Sequence, residues 1–204
     1  MINNYIKIAF RTLFKNKGYS VLNIFGLAIG ITCASLIFLW VEDEVNFNAA
    51  FDNQELVYYV PTHQEYDGEW RTFNSTPGPL AAAMKTEIPG ILKAARTKQS
   101  DFLFAVDDQA ITSSGRYVDE DFIGIFSLNF IEGNAAEAFK NPKAIVITQE
   151  TAAQLYGANV KVLDKVVKVN NSDTYVITGV IENLPKNITF PFNWIAPFER
   201  YSKG

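Results

Sequence analysis

Over residues 2–15 the apolar side chains Ile2, Tyr5, Ile6, Ala9, Phe10, Leu13 and Phe14 recur at helical spacing, while Lys7, Arg11 and Lys15 run down the opposite side. Such a stripe predicts an amphipathic helix lying along a membrane surface, interrupted only by Ile8. From Gly18 to Val41 there is no charged residue, and 16 of the 22 residues from Ser20 to Val41 are apolar. At about 1.5 Å per residue this run spans about 33 Å, enough to cross a hydrocarbon core of about 30 Å. A cleaved signal peptide has a shorter apolar stretch and a small-residue cleavage site, whereas this one continues directly into Trp40-Val41-Glu42-Asp43-Glu44. A helix apolar on every side is also unlike the one-sided helix of a soluble core.

After Asn48 the pattern becomes mixed. Leu56 to Val60 is rich in strand formers and stops at Pro61; Tyr66-Asp67-Gly68 marks a turn after which Trp70 to Phe73 can pair back as a hairpin. Pro77-Gly78-Pro79 can start a helix at Leu80 to Met84 that Pro89-Gly90 ends. Strands are expected at Ile91–Thr97, Phe102–Val106 and Ala110–Thr112, with Asp107-Asp108 as a turn, and a short helix at Asp119–Phe126. Ala144–Thr148 reads as a buried strand, with Thr148 capping a helix from Gln149 to Tyr156 that Gly157 closes. Val166–Val169 and Tyr175–Ile181 then form a hairpin through Asn170 to Asp173. The imperfect alternation of Tyr175, Ile177 and Gly179 against Val176, Thr178 and Val180 suits a strand covered on both faces. The expected class is therefore α+β: an amphipathic helix at 1–17, a transmembrane helix at 18–41 and a mixed extracytoplasmic domain at 42–204.

Charge divides the chain at the same place. The first 41 residues carry four cations and no acid, a balance of +4, and the remainder carries 14 basic and 22 acidic side chains, or −8. Cations before the span and Glu42, Asp43 and Glu44 after it predict a cytoplasmic N-terminus. The acidic excess of the larger part excludes a nucleic-acid surface, which needs clustered Lys and Arg. The 14% aromatic content of the whole chain argues against disorder.

Within the span, Asn23, Gly26, Gly30 and Cys33 fall in one arc of about 80° at about 100° per residue, and the small pair Gly26 and Gly30 allows another helix to approach closely. Cys33 is the only cysteine and His63 the only histidine, so no disulfide and no Cys/His metal site is expected. Asp119, Glu120 and Asp121 are a poor cation site, because adjacent acids on a helix point in different directions. The chain has no phosphate-binding Gly-rich loop, no G-x-S-x-G elbow and no H-E-x-x-H, and no catalytic residue, cofactor or metal is assigned. Asn74-Ser75-Thr76, Asn170-Asn171-Ser172 and Asn187-Ile188-Thr189 fit the glycosylation sequon, a triplet common by chance.

Tyr5-Ile6-Lys7-Ile8-Ala9-Phe10-Arg11-Thr12-Leu13-Phe14-Lys15-Asn16-Lys17-Gly18-Tyr19-Ser20, running into Asn23-Ile24-Phe25-Gly26-Leu27-Ala28-Ile29-Gly30, resembles the start of ABC transporter permeases of the MacB/FtsX type. Ala144 to Gly157, and Lys165 to Pro185 with Gly179-Val180-Ile181-Glu182-Asn183-Leu184-Pro185 at its centre, are similar to that family's periplasmic core motif. Asp164-Lys165 stands where relatives have Gly-Lys, a local loop change. The resemblance implies a non-catalytic subunit in the inner membrane, paired with a cytoplasmic ATP-binding subunit, working as a permease homodimer or heterodimer, with a periplasmic adaptor as a further partner. It implies that Lys7, Arg11 and Lys15 lie on a cytoplasmic coupling helix and that Gly26 and Gly30 pack against neighbouring helices. Such permeases carry at least three more membrane helices, so the chain is expected to be a fragment. Two other classes fit the residues alone: a single-pass anchored periplasmic binding module, and an anchored enzyme working with carboxylates.

Overall fold

The computed structural model describes residues 2–49, 51, 54–107 and 109–202 and divides into two units, residues 1–47 and 48–204. In the first unit, helix α1 (Ile2–Lys15) and helix α2 (Lys17–Val45) are separated by the single non-helical residue Asn16, at φ −116° and ψ 57°. Hydrogen bonding continues across this elbow, from the Asn16 amide to the Thr12 carbonyl and from the Ser20 amide to the Asn16 carbonyl. α2 has 29 residues, none buried, and is long and apolar enough to cross a membrane. It runs past the apolar stretch through Glu42-Asp43-Glu44, although acids oppose the dipole at a helix C-terminus. Asn46 offsets this by capping the end: both its backbone amide and its side-chain Nδ2 donate to the Glu42 carbonyl.

The second unit is built on strands. β1 (Thr62–Tyr66) and β2 (Glu69–Phe73) form a separate hairpin around Asp67 and Gly68, both at positive φ as a tight turn of this type requires. That turn sets the register so that Thr62 faces Phe73, which leaves Val57–Pro61 without a strand partner; the expected strand at Leu56–Val60 is replaced by one turn of 3-10 helix at Gln54–Leu56 and irregular chain. α3 (Leu80–Glu87) follows. The chain stays irregular through Ile91 to Arg96, against the expected strand there, and β3 (Thr97–Val106) and β4 (Gln109–Val118) are ten residues each, well beyond the short strands foreseen. Of the turn between them, Asp107 has positive φ, and Asp108 lies outside the described residues.

α4 is shorter than expected at Asp121–Ile125, because Asp119 is engaged by Arg96 through both its backbone amide and its carboxylate. The remaining elements are β5 (Phe130–Gly133), β6 (Ala144–Thr148), α5 (Gln149–Tyr156), β7 (Val166–Val169), β8 (Asp173–Ile181), β9 (Trp194–Pro197) and α6 (Phe198–Ser202). α5 has the ends expected of it: the Thr151 amide donates to Thr148 Oγ1, and Gly157 follows at φ 90°.

The main sheet runs β5-β8-β6-β9-β4-β3-β7, and β7 pairs with β8 as well, so six of the seven strands close into a ring. Alternation along the strands sends one set of side chains inward: Phe102, Phe104, Ile145, Ile147, Val167, Val169, Tyr175, Ile177, Trp194 and Ala196, with Leu155 of α5 added. The other set, Val118, Ala144, Val146, Ile181 and Ile195, faces outward under Phe122, Ile123 and Phe126 of α4 and the connecting chain. The uneven pattern of β8 has a second cause besides burial on both faces. Opposite β6 the register passes from Ile145↔Ile177 to Val146↔Gly179, so Thr178 is an extra residue and the inward set switches from odd to even numbers, reaching Val180.

Trp194 fills the ring. Its indole stacks on Phe102 at 3.8 Å between centroids and donates from Nε1 to the Ser113 carbonyl. A Cβ on Gly115 would lie 2.2 Å from the Trp194 ring, so only glycine fits there. Gly115→Ala is therefore expected to destabilise the outer domain by about 1–3 kcal/mol, the usual cost of overpacking, seen as an earlier urea midpoint by tryptophan fluorescence.

Candidate functional site

Two regions concentrate functional chemistry, and each lies within one unit. On α1, Lys7, Arg11 and Lys15 share an arc of about 80°. Tyr5 and Phe14, on the apolar side, are 71% and 69% exposed, so the described part of that face is open. The side chains of Ile2, Ala9 and Phe10, counted in that face from the sequence, lie outside the described residues. At the elbow, Thr12, Leu13, Asn16, Tyr19, Ser20, Asn23 and Ile24 line an open hollow of about 550 Å³.

Asn23 thus faces the elbow. Gly26 and Gly30, one and two turns further along α2, have open space where a Cβ would stand, and Cys33 is exposed. The structure brings Lys7, Arg11 and Lys15 together on α1 and keeps Asn23, Gly26, Gly30 and Cys33 on one side of α2, as helical geometry requires.

In the outer domain, an open cleft of about 580 Å³ lies between Gly78, Pro79, Ala81, Ala82 and Lys85 on one side and Ala94, Arg96 and Asp119 to Asp121 on the other. Four of its five charged side chains form two ion pairs. Asp119 accepts from the backbone amide, Nε and Nη2 of Arg96, each at 2.9 Å, and the Arg96 guanidinium lies 4.3 Å from the Phe198 ring centroid. Asp121 accepts from Lys85 Nζ at 2.6 Å and from the Ala94 amide at 3.2 Å. Burial alone would raise the Asp121 pKa, but the bonds from Lys85 and Ala94 and the charges of Lys85 and Lys93 outweigh it and hold the carboxyl below its usual value.

A similar pair ties β8 to α6, where Arg200 grips both oxygens of Asp173 and bonding from Arg200 overcomes burial to lower the Asp173 pKa. Arg116 is buried on the outer face, its Nη1 donating to Thr97 Oγ1 and its guanidinium 5.0 Å from the Phe190 centroid; burial lowers its pKa.

These ion pairs escape sequence reasoning because the partners of Asp119 and Asp121 lie 23 and 36 residues away. The one available signal is Asp119-Glu120-Asp121 itself, whose first and third members point to different cations, Arg96 and Lys85. Among the described residues no group of three or more His, Cys, Asp or Glu side chains is placed to hold a metal ion.

A long apolar N-terminal helix followed by a closed, sheet-rich α+β domain marks a membrane-anchored protein. The chain belongs to the MacB-like periplasmic core domain family, whose model matches residues 20–203, and that family is one of ABC transporter permease components. Among solved structures it is similar to a domain of a proposed permease protein from Porphyromonas gingivalis, at 26% identity and a TM-score of 0.57, over 68% of this chain and 60% of that one. It also matches the periplasmic region of MacB from Actinobacillus actinomycetemcomitans, at 14% identity and a TM-score of 0.48, over 59% of this chain and 55% of that one. The extracellular domain of the noncanonic ABC-type transporter YknZ from Gram-positive bacteria matches at 12% identity and a TM-score of 0.47, over 58% of this chain and 61% of that one. The chain thus spans less than two thirds of the length of each of these domains. No curated protein matches the sequence.

Because the folded-state pKa values of Asp121 and Asp173 are depressed, their contribution to stability is complete above the unfolded carboxyl value of about 4 and is lost as pH falls through the folded values. The melting temperature should fall below about pH 4, and Asp173→Asn should flatten that acid limb while lowering the melting temperature at pH 7.

Proposed function

We propose that the protein is a non-catalytic subunit of an ABC transporter, coupling ATP hydrolysis by a separate cytoplasmic subunit to conformational change in its outer domain. The observation that carries this reading is the unbroken run of parts in a chain of this family. A cationic amphipathic helix is joined through one residue to a helix of membrane-spanning length, which leads into the periplasmic core domain. Lys7, Arg11 and Lys15 present positive charge to the ATP-binding partner or to lipid phosphates at the cytoplasmic face. Gly26 and Gly30 are the closest-approach points for a neighbouring membrane helix, from a second permease copy or a related permease. Residues 42–204 lie on the far side of the membrane as the periplasmic domain, where a periplasmic adaptor has access to them.

The combined charge reversal Lys7→Glu, Arg11→Glu and Lys15→Glu should abolish co-purification with the ATP-binding subunit while leaving membrane insertion intact. Retention of that association would count against the coupling role and favour an anchored periplasmic module. The proposed orientation has its own test in a Cys33→Ser background in intact cells. A membrane-impermeant maleimide should label Glu65→Cys and spare Lys15→Cys; the reverse pattern would invert the topology.

A further inference from the structure

On the outer face of the sheet, Arg116 is a buried charge with no counter-charge among the described residues. It is 9% exposed, yet the ion pairs of those residues are made by Arg71, Lys85, Arg96, Lys140 and Arg200, and Arg116 takes part in none. Its one hydrogen bond to them runs from Nη1 to Thr97 Oγ1 at 3.2 Å. Nε is sealed from water without a partner; Nη2 also lacks one but is not sealed, so the guanidinium is open at its Nη1–Nη2 edge. Burial lowers the Arg116 pKa, and the charge of nearby Tyr59 offsets this only in part.

A cation taken out of water destabilises a fold unless an opposite charge or several hydrogen bonds replace its hydration, and an apolar side chain of similar volume would serve the core better. An acid on the neighbouring strand does not fill the role. Asp101 lies diagonal to Arg116 across β3 and β4, is exposed, and forms no ion pair with it. The packing of the domain therefore gives no reason for a cation at this position.

The groups around the open edge suit an acid carried on an apolar body. Gln99 stands directly opposite Arg116 on β3, and Thr97 adds a hydroxyl on the same strand. The Phe190 ring centroid is 5.0 Å from the guanidinium carbon and 5.8 Å from the ring of Tyr59, which is itself 51% exposed. Both rings belong to connecting chain: Tyr59 to residues 57–61, which pair with no strand, and Phe190 to the segment between β8 and β9. Parting them to admit a ligand breaks no helix or strand.

We propose that Arg116 is the floor of a binding site for an oxyanion, a carboxylate or phosphate group on an apolar body, with Nη1 and Nη2 gripping its oxygens and Phe190 and Tyr59 flanking the apolar part. Arginine offers parallel N–H groups that match the oxygens of such an anion, which the single ammonium of lysine does not. The site lies wholly within residues 48–204, and its existence does not depend on the permease reading.

The test is differential scanning calorimetry on the full chain in detergent micelles at pH 7, with ionic strength held constant by sodium chloride. Benzoate and phenyl phosphate are the probes, and phenol is the uncharged control. Either acid should raise the melting temperature of the outer domain in a saturable way, by about 2–4 °C when it is in about tenfold excess over its dissociation constant, and phenol should not. The acid that saturates at the lower concentration identifies the group as carboxylate or phosphate.

Arg116→Met should melt at or above the native temperature without acid and lose the response, because it removes an unpaired buried charge at nearly constant volume. Arg116→Lys keeps the charge but not the parallel donors, and should weaken the apparent affinity about tenfold. No saturable rise in the native chain, or an equal rise with phenol, would overturn the site. So would a response that persists in Arg116→Met or is undiminished in Arg116→Lys. An Arg116→Met chain that melts well below native without acid would make the arginine merely structural and overturn the proposal as well.

Discussion

Everything in the outer domain is arranged around the Trp194 indole lying flat between Phe102 and the bare backbone at Gly115. A ring of six strands encloses an interior that side chains must fill without voids, and the largest side chain available occupies its middle. That placement makes demands on the neighbours. Gly115 must lack a side chain, Ser113 must turn its carbonyl toward Nε1, and Phe104 and Tyr117 must approach the indole edge-on. Strands β3 and β4 are thereby held to β9 through one side chain, and the closing contact of β7 with both β3 and β8 completes the circle.

Closure has a cost in local regularity, and β8 shows where it falls. The strand pairs with β6 along one edge and with β7 and then β5 along the other, and it meets both obligations by inserting Thr178 as an extra residue. Thr178 Oγ1 is bonded to the Ala138 carbonyl, so the bulge is anchored rather than loose. Gly179 beside it has room only for hydrogen, since a Cβ would lie 2.6 Å from the Phe130 ring. The ion pairs of Arg96 with Asp119 and Arg200 with Asp173 then brace the ends of elements, tying α6 back to the sheet. Being about one-third exposed, each adds a modest amount to stability and also sets geometry.

The sequence by itself determined the features that depend on neighbours within a few residues. Apolar length set α2, three- and four-residue spacing set α1, a donor-acceptor pair three residues apart started α5 at Thr148, and two positive-φ residues made the turn at Asp67 and Gly68. Only the tertiary structure decided the rest, because its causes lie far apart in the chain. Ser113, Ser114, Gly115 and Arg116 have no strand character of their own, yet β4 runs through them because β3 and β9 offer hydrogen bonds on both sides. Trp194–Pro197 is too short to announce itself and becomes β9 by lying between β4 and β6. Leu56–Val60 has every strand former it needs and no partner, so it stays irregular. A strand is half a structure until another edge meets it, and which edge meets which is settled by how the whole ring closes.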